Sequence, residues 1–299
     1  MSRWTGVATC TMLDMTRFQR GPYRAFAPEV RLLLPEEVED PAAVDFALTF
    51  VPGEGAFAPY PNLRAIFSVG AGTDGIDACQ SRPDVPVFRV EDPDQAQQMA
   101  GFAAFHVLWH HRRMGEFLAA QARGAWERRV GDQSPTLRRI GVMGFGLMGR
   151  AIAAGLVALG YPVTVLSRST PREPLPGARH MTDDRLETFL AETDILINVL
   201  PLTPATQGIL NARSFDALPE GAALIQLGRG AHLVEADLLA ALDSGQLSGA
   251  SLDVFETEPL PADSPLWAHP KLVLTPHVAS TPRPEAVVEN VKRGMASLE

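Results

Sequence analysis

Two α/β domains, each built on a parallel sheet of its own, are what this sequence predicts, and three observations carry the prediction. A buried-strand pattern at residues 139–143 breaks into Gly144-Phe145-Gly146-Leu147-Met148-Gly149 and then into a helical run reaching residue 159. Strand-like and helix-like segments alternate from there to residue 254. Ahead of them, short apolar runs at 30–34, 46–51 and 65–69, each bounded by Pro, Gly or charge, describe a smaller unit of the same kind.

The third early run ends in Ser68-Val69-Gly70-Ala71-Gly72-Thr73-Asp74-Gly75, a glycine-rich turn at the carboxyl end of a strand. Open α/β sheets place ligands there, and the backbone amides of such a turn can hold a carboxylate. Beyond an apolar run at 86–90, the polar stretch 91–98 marks the domain crossing. The first domain is therefore 1–97, completed by a C-terminal helix at about 280–299, and the second is 98–279. One long helix is expected over 99–122, carrying His106, His110 and His111. His106 and His110 have the i, i+4 spacing of some metal ligands, but no H-E-x-x-H motif or nearby acidic ligand accompanies them, so packing and surface roles are expected and no metal.

In the glycine turn, Gly144 permits a tight bend, Gly146 lets backbone approach a pyrophosphate, and Gly149 lets the helix pack closely on the strand. Phosphates would meet the amides and positive end of the helix at Leu147, Met148 and Gly149. Gly160 is a natural helix terminator and 162–166 reads as the next strand, completing a dinucleotide-binding βαβ unit. At the end of that strand, where NAD-binding versions carry Asp or Glu, stand Ser167-Arg168-Ser169-Thr170. This favours NADP, with NAD remaining possible.

The alternation continues with a helix at 184–191, a strand at 195–200, a loop at 201–206 and a helix at 212–218. A strand at 222–227, a helix at 235–244 ended by Gly245, and a strand at 250–254 complete it. Such a run demands right-handed crossovers and a site off the carboxyl ends of the strands. Polar residues arrive there in Gly228-Arg229-Gly230, in Asp253-Val254-Phe255-Glu256-Thr257-Glu258-Pro259-Leu260-Pro261 and in Thr275-Pro276-His277. An arginine between glycines can clamp a carboxylate in a bidentate way, and a histidine beside a carboxylate can move one proton near neutral pH.

Composition bounds the partners. The 299 residues are 46% hydrophobic and 20% charged, with a net charge of −9 and a pI near 5.3, which argues against general binding to nucleic acid or anionic membranes. No apolar run approaches the ~20 residues of a membrane span. Cys10 and Cys79 are the only cysteines, and the residues after Met1-Ser2-Arg3-Trp4 form no apolar signal core, so a cytoplasmic setting is expected.

These segments together resemble the D-isomer-specific 2-hydroxyacid dehydrogenase family, and within it the branch acting on glyoxylate and hydroxypyruvate. The resemblance runs from about residue 61 onward, through Val69–Asp74, Gly144–Gly149, Ser167–Ser169, Leu200-Pro201-Leu202-Thr203-Pro204-Ala205-Thr206, Gly228–Gly230, Leu252–Pro261 and Thr275–His277. It implies a Rossmann-type doubly wound nucleotide-binding domain and a smaller flavodoxin-like substrate domain. The implied activity is NADPH-dependent reduction of a small 2-oxo acid, by a homodimer formed through the nucleotide-binding domain. Arg229 would bind the substrate carboxylate and keto oxygen, Glu258 would orient and tune His277, and His277 would be the acid/base. Val69 and Gly70 would bind substrate through their amides, and Leu200, Pro201, Thr206, Leu227, Gly228 and Asp253 would join the cofactor contacts. Gly228, where the family commonly has Ala, and Gly101, where many members have Glu, depart from the pattern. Two other readings compete: a β-hydroxyacid dehydrogenase, which would need an all-helical second half and a catalytic lysine where only Lys271 and Lys292 exist, and a non-catalytic dinucleotide sensor.

Overall fold

The computed structural model describes residues 3–26 and 28–299; Met1 and Ser2, read above for a targeting signal, and Ala27 lie outside it. The chain divides into two compact units, 1–95 with 281–299, and 96–280.

The first unit carries β1 (Trp4–Ala8), β2 (Val30–Leu33), β3 (Phe46–Thr49), β4 (Ala65–Ser68), the short α1 (Asp74–Asp77) and β5 (Val87–Phe88). All pairings are parallel and the order is β2-β1-β3-β4-β5, the flavodoxin-like arrangement. β1 escapes a reading by periodicity because Thr5 and Gly6 interrupt its apolar pattern. The structure explains the glycine: a Cβ at Gly6 would lie 2.2 Å from Cζ of the buried Phe46 ring, so the strand can pair there only without a side chain.

The expected long helix is two helices, α2 (Pro93–His111) and α3 (Met114–Ala122). α2 starts six residues before the expected 99, because Asp92 caps it by accepting the Asp94 N–H at 3.0 Å and Pro93 suits the first helical position. The break falls at Arg113, whose φ of 54° lies in the left-handed region. Its guanidinium Nε donates to Glu116 at 2.7 Å across the break.

The second unit continues with β6 (Ile140–Met143), α4 (Leu147–Ala158), β7 (Val163–Ser167), β8 (Ala178–Thr182), α5 (Leu186–Ala191), β9 (Ile195–Asn198), α6 (Ala212–Asp216), β10 (Ala222–Gln226), α7 (Glu235–Ser244), β11 (Leu247–Leu252) and β12 (Leu272–Leu274). Its seven strands lie parallel in the order β8-β7-β6-β9-β10-β11-β12, a doubly wound Rossmann sheet. The order reverses between β6 and β9, and open α/β sheets receive ligands off the carboxyl ends of the strands at such a point. Apolar residues from both faces fill two clusters, one around Leu196, Phe215 and Leu224 and another around Ile152, Val165 and Ile197. β8 is an edge strand with no residue fully buried, which is why Ala178-Arg179-His180-Met181-Thr182 carries no strand pattern.

The last helix, α8 (Pro284–Ala296), returns to the first unit and buries Val287, Val288, Val291 and Met295 in its core. Gly294 lets it press on β4, since a Cβ there would sit 2.4 Å from the Phe67 ring. The helix entry is anchored by Asp92, which accepts from the Arg283 N–H at 2.9 Å and from its Nη2 at 3.0 Å. Burial opposes ionisation of Asp92, but the Arg283 and Asp94 donors outweigh it and hold the carboxyl below its ordinary range. No described helix is long and apolar enough to cross a membrane.

The helical histidines pack. His106 and His111 are buried, His110 Nε2 lies 2.8 Å from Ser251 Oγ, and His111 contacts Tyr161 Oη and the Asp132 carbonyl at 2.8 Å each. Burial pushes His106 and His110 down to about 4. The folded state therefore binds fewer protons than the unfolded chain between about 4 and the ordinary imidazole value near 6.5. Stability should rise with pH across that window and be lost as pH falls through it. Melting temperature should drop over this interval and drop less in His106→Gln/His110→Gln; an equal slope in that variant would contradict the assignment.

Candidate active site

β6 is wholly buried and ends at Gly144, whose φ of 106° is open to glycine alone. A Cβ there would stand 3.0 Å from the Val199 carbonyl oxygen after β9, so the turn also has to be bare where the neighbouring strand passes. At Gly149 a Cβ would lie 2.0 Å from the Gly144 oxygen, which makes the third glycine obligatory for packing helix on strand. Gly146 differs, because a Cβ there would meet nothing within 4 Å. That space lies at the start of α4, where first-turn N–H groups have no intrahelical partner and a phosphate can be received. At the end of β7, Arg168 is exposed and has no ion pair among the described residues, while Ser167 Oγ donates to the Ser169 carbonyl at 2.9 Å. The residues present fit a dinucleotide with a 2′-phosphate.

Arg229 follows β10 on a turn gripped from inside. Its N–H donates to His232 Nδ1 at 3.0 Å and its carbonyl accepts Gln226 Nε2 at 2.9 Å. Asn198, at the end of β9, donates from Nδ2 to Gln226 Oε1 at 2.8 Å and lies 3.1 Å from His232 Nδ1. Asn198, Gln226 and His232 are completely buried. None of the three was singled out from the sequence; a run of polar residues at the ends of otherwise apolar strands was the available signal. The departure at Gly228 has a local account, since a Cβ there would come within 2.8 Å of His232 Nδ1 and 2.9 Å of Asn198 Nδ2. Gly230 has no alternative: its Cβ would fall 1.9 Å from the Phe255 carbonyl, where this turn abuts the segment after β11.

That segment carries Glu258, which accepts the Phe255 N–H at Oε1 at 3.0 Å and faces His277 Nδ1 from Oε2 at 2.8 Å. Burial opposes the Glu258 charge, but the bonds from His277 and Phe255 and the Arg229 guanidinium nearby keep the carboxyl below its ordinary range. An ionised carboxylate can only accept, so Nδ1 carries a proton and any further proton of the ring resides on Nε2. His277 has a φ of 54°, left-handed for a non-glycine residue. Asp253 holds it there: its carbonyl accepts the His277 N–H at 2.8 Å, Oδ1 accepts Thr275 Oγ1 at 2.7 Å and the Val278 N–H at 2.9 Å, and Oδ2 accepts the Ala279 N–H at 2.9 Å. Asp253, expected among the cofactor contacts, thus commits both carboxylate oxygens to the loop bearing His277. Thr206 likewise spends its hydroxyl on its own loop, donating to the Pro201 carbonyl at 2.7 Å. Leu227 is buried, and Leu200 is half-buried beside Pro201.

In the first unit, the turn after β4 has its own hydrogen bonds. Val69 N–H donates to the Thr49 carbonyl at 2.9 Å and Gly70 N–H to Ser68 Oγ at 3.2 Å. The two amides expected to hold a carboxylate are therefore engaged internally, Val69 firmly, because the strand ladder extends one residue past β4. Ala71 and Gly72, next along the turn, donate no backbone hydrogen bond among the described residues. Like the Thr73 N–H, they are unengaged among the described residues.

Residues 104–279 match the model of the D-isomer specific 2-hydroxyacid dehydrogenase NAD-binding domain. The chain is 40% identical over 270 residues to glyoxylate/hydroxypyruvate reductase A of Salmonella paratyphi B, covering 88% of this chain and 85% of the relative. Its fold is similar to that of a D-isomer specific 2-hydroxyacid dehydrogenase from Xanthobacter autotrophicus Py2 solved with NADPH and MES (TM-score 0.92, 36% identity, 99% and 95% of the two chains covered). It is also similar to the NADPH-dependent glyoxylate/hydroxypyruvate reductase of Sinorhizobium meliloti solved with NADP and sulfate (TM-score 0.91, 31% identity, 98% and 94% covered). The chain belongs to the D-isomer specific 2-hydroxyacid dehydrogenase family. The β-hydroxyacid dehydrogenase reading falls away, because strands β9 to β12 continue where that reading needs an all-helical half.

Proposed function

We propose that this protein is an NADPH-dependent reductase of a small 2-oxo acid, glyoxylate or hydroxypyruvate. The observation that carries the reading is the Glu258–His277 pair at 2.8 Å, set at strand ends next to Arg229 on the sheet that bears the Gly144–Gly149 cradle. NADPH, when bound, supplies the hydride for the carbonyl carbon. His277 donates its Nε2 proton to the carbonyl oxygen, while Glu258 keeps the ring oriented through Nδ1. Arg229 holds the substrate carboxylate and stabilises negative charge developing on the oxygen. In the first unit, the turn at 69–72 offers amide donors for a carboxylate, Val69 and Gly70 by the family resemblance, with Ala71 and Gly72 beside them unengaged. Leu147, Met148, Gly149, Arg168 and Ser169 would receive the cofactor phosphates. In this reading 98–279 is the dinucleotide domain and 1–97, with the C-terminal helix, the substrate domain. A cytoplasmic setting accords with Cys10 and Cys79 being free thiols.

A panel tests it: NADPH absorbance followed with glyoxylate, hydroxypyruvate, pyruvate and phenylpyruvate, each repeated with NADH. Consumption fastest with the first two and NADPH is the expected result. No oxidation of NADPH by any 2-oxo acid would favour the non-catalytic sensor.

We also infer a homodimer formed by the second unit. Phe105, Leu108, Met114, Leu118, Val130 and Leu137 expose apolar side chains along residues 105–137, and Trp126 among them is 96% exposed. Exposed apolar side chains gathered in one stretch of chain are ordinarily covered by a partner. Light scattering should return twice the 32.3 kDa chain mass, falling toward one chain in Leu118→Glu/Trp126→Glu. A monomeric wild type at micromolar concentration would refute the inference.

A further inference from the structure

We propose that His232 is a positioning residue for Arg229, acting as a neutral imidazole locked in the Nε2–H tautomer. The proposal rests on the reading of Arg229 as the substrate's carboxylate clamp. The tautomer follows from the partners. The Arg229 N–H, 3.0 Å from Nδ1, can only donate, so Nδ1 bears no proton. The Pro201 carbonyl, 3.3 Å from Nε2, can only accept, so the proton sits on Nε2. Asn198 adds a second donor, its Nδ2 lying 3.1 Å from Nδ1. Protonating Nδ1 would set hydrogen against hydrogen at both contacts, and both side chains are 0% exposed.

The consequence lies at residue 229 itself. Its N–H is held by His232 Nδ1, and its carbonyl accepts both Gln226 Nε2 at 2.9 Å and the His232 N–H at 3.0 Å. With Gly228 and Gly230 on either side the turn has little intrinsic stiffness, so these bonds fix the backbone from which the guanidinium projects, its Nη1 donating to the Gly228 carbonyl at 2.7 Å. His232 bonds the main chain at residue 229. It acts through the backbone of Arg229, and its removal should be felt in substrate binding.

The variants are His232→Leu, which removes the acceptor, and His232→Asn, whose side-chain oxygen can take the place of Nδ1. In His232→Leu, KM for the 2-oxo acid should rise and kcat/KM fall by about tenfold, with NADPH affinity unchanged; His232→Asn should recover most of the loss. In an Arg229→Lys background His232→Leu should add little, because residues acting as a unit are not additive. Wild-type kcat/KM in His232→Leu, no recovery in His232→Asn, or an undiminished loss in the Arg229→Lys background would each overturn the proposal. Should His232→Leu not fold, nitrogen-15 spectra of the wild-type histidines decide: an unprotonated Nδ1 and protonated Nε2, unchanged from about pH 5 to about pH 9, are expected, and a protonated Nδ1 overturns it. If Arg229→Lys leaves KM unchanged, the clamp reading fails, whereas a raised KM there with an unaffected His232→Leu fails this inference alone.

Discussion

His277→Ala should lower turnover with glyoxylate or hydroxypyruvate by roughly 10²–10⁴-fold, the usual contribution of a positioned acid, while NADPH affinity stays close to wild type. The size follows from how much of the structure serves this one side chain. Glu258 holds Nδ1 at 2.8 Å, and Asp253 fixes the left-handed backbone of His277 through its own carbonyl and both carboxylate oxygens. Alanine removes the proton donor and leaves that frame in place. On the acid side Glu258 matters: its carboxyl is held below the ordinary range, so the carboxylate and its contribution persist above that depressed value and are lost only as pH falls through it. Stopped-flow turnover with cofactor binding followed by fluorescence checks the substitution. Near-wild-type turnover in His277→Ala would remove His277 from the chemistry.

Arg168→Asp should weaken NADPH strongly and leave NADH little changed. Arg168 stands 168 − 149 = 19 residues past Gly149 at the end of β7, close to the ~20 at which an acidic ribose reader normally falls. A carboxylate would repel a 2′-phosphate there, whereas a guanidinium makes charge-assisted bonds worth ~1.5–3 kcal/mol. At 1.4 kcal/mol per factor of ten, the wild-type preference in kcat/KM is expected to be roughly ten- to a hundredfold. Arg168 is exposed and has no ion pair among the described residues, so its charge is available, and added salt should narrow the preference. Of the two serines beside it, Ser169 is the better helper, because the Ser167 hydroxyl is already donated to the Ser169 carbonyl at 2.9 Å. Equal kcat/KM for the two cofactors, or an unchanged ratio in Arg168→Asp, would show that another group reads the phosphate.

Features set by local chemistry were legible in the chain. A glycine with positive φ, a helix packed against its own preceding turn, and a period-2 or continuous apolar strand are each decided within about a dozen residues, so Gly144 to Gly149 and the alternation up to residue 254 could be read directly. The pairing of Glu258 with His277 came through resemblance and reappears as a 2.8 Å contact across 19 residues. Other features depend on groups that meet only after the sheet has formed. Gly6 interrupts a strand for the sake of the Phe46 ring 40 positions away, and β8 is a strand because β7 offers it an edge. The expected helix over 99–122 breaks at Arg113, a conformation no propensity favours. Val69 looked like a free donor until the ladder from β3 claimed its N–H, with Ala71 and Gly72 unengaged beside it. Asn198, Gln226 and His232 come from separate strand ends and a turn, and Asp253 reaches 22 to 26 residues forward to brace the histidine loop. Hydrogen bonds between side chains so far apart in sequence leave no spacing to read; parallel strands must first bring their carboxyl ends together, and burial then makes each donor and acceptor find its partner.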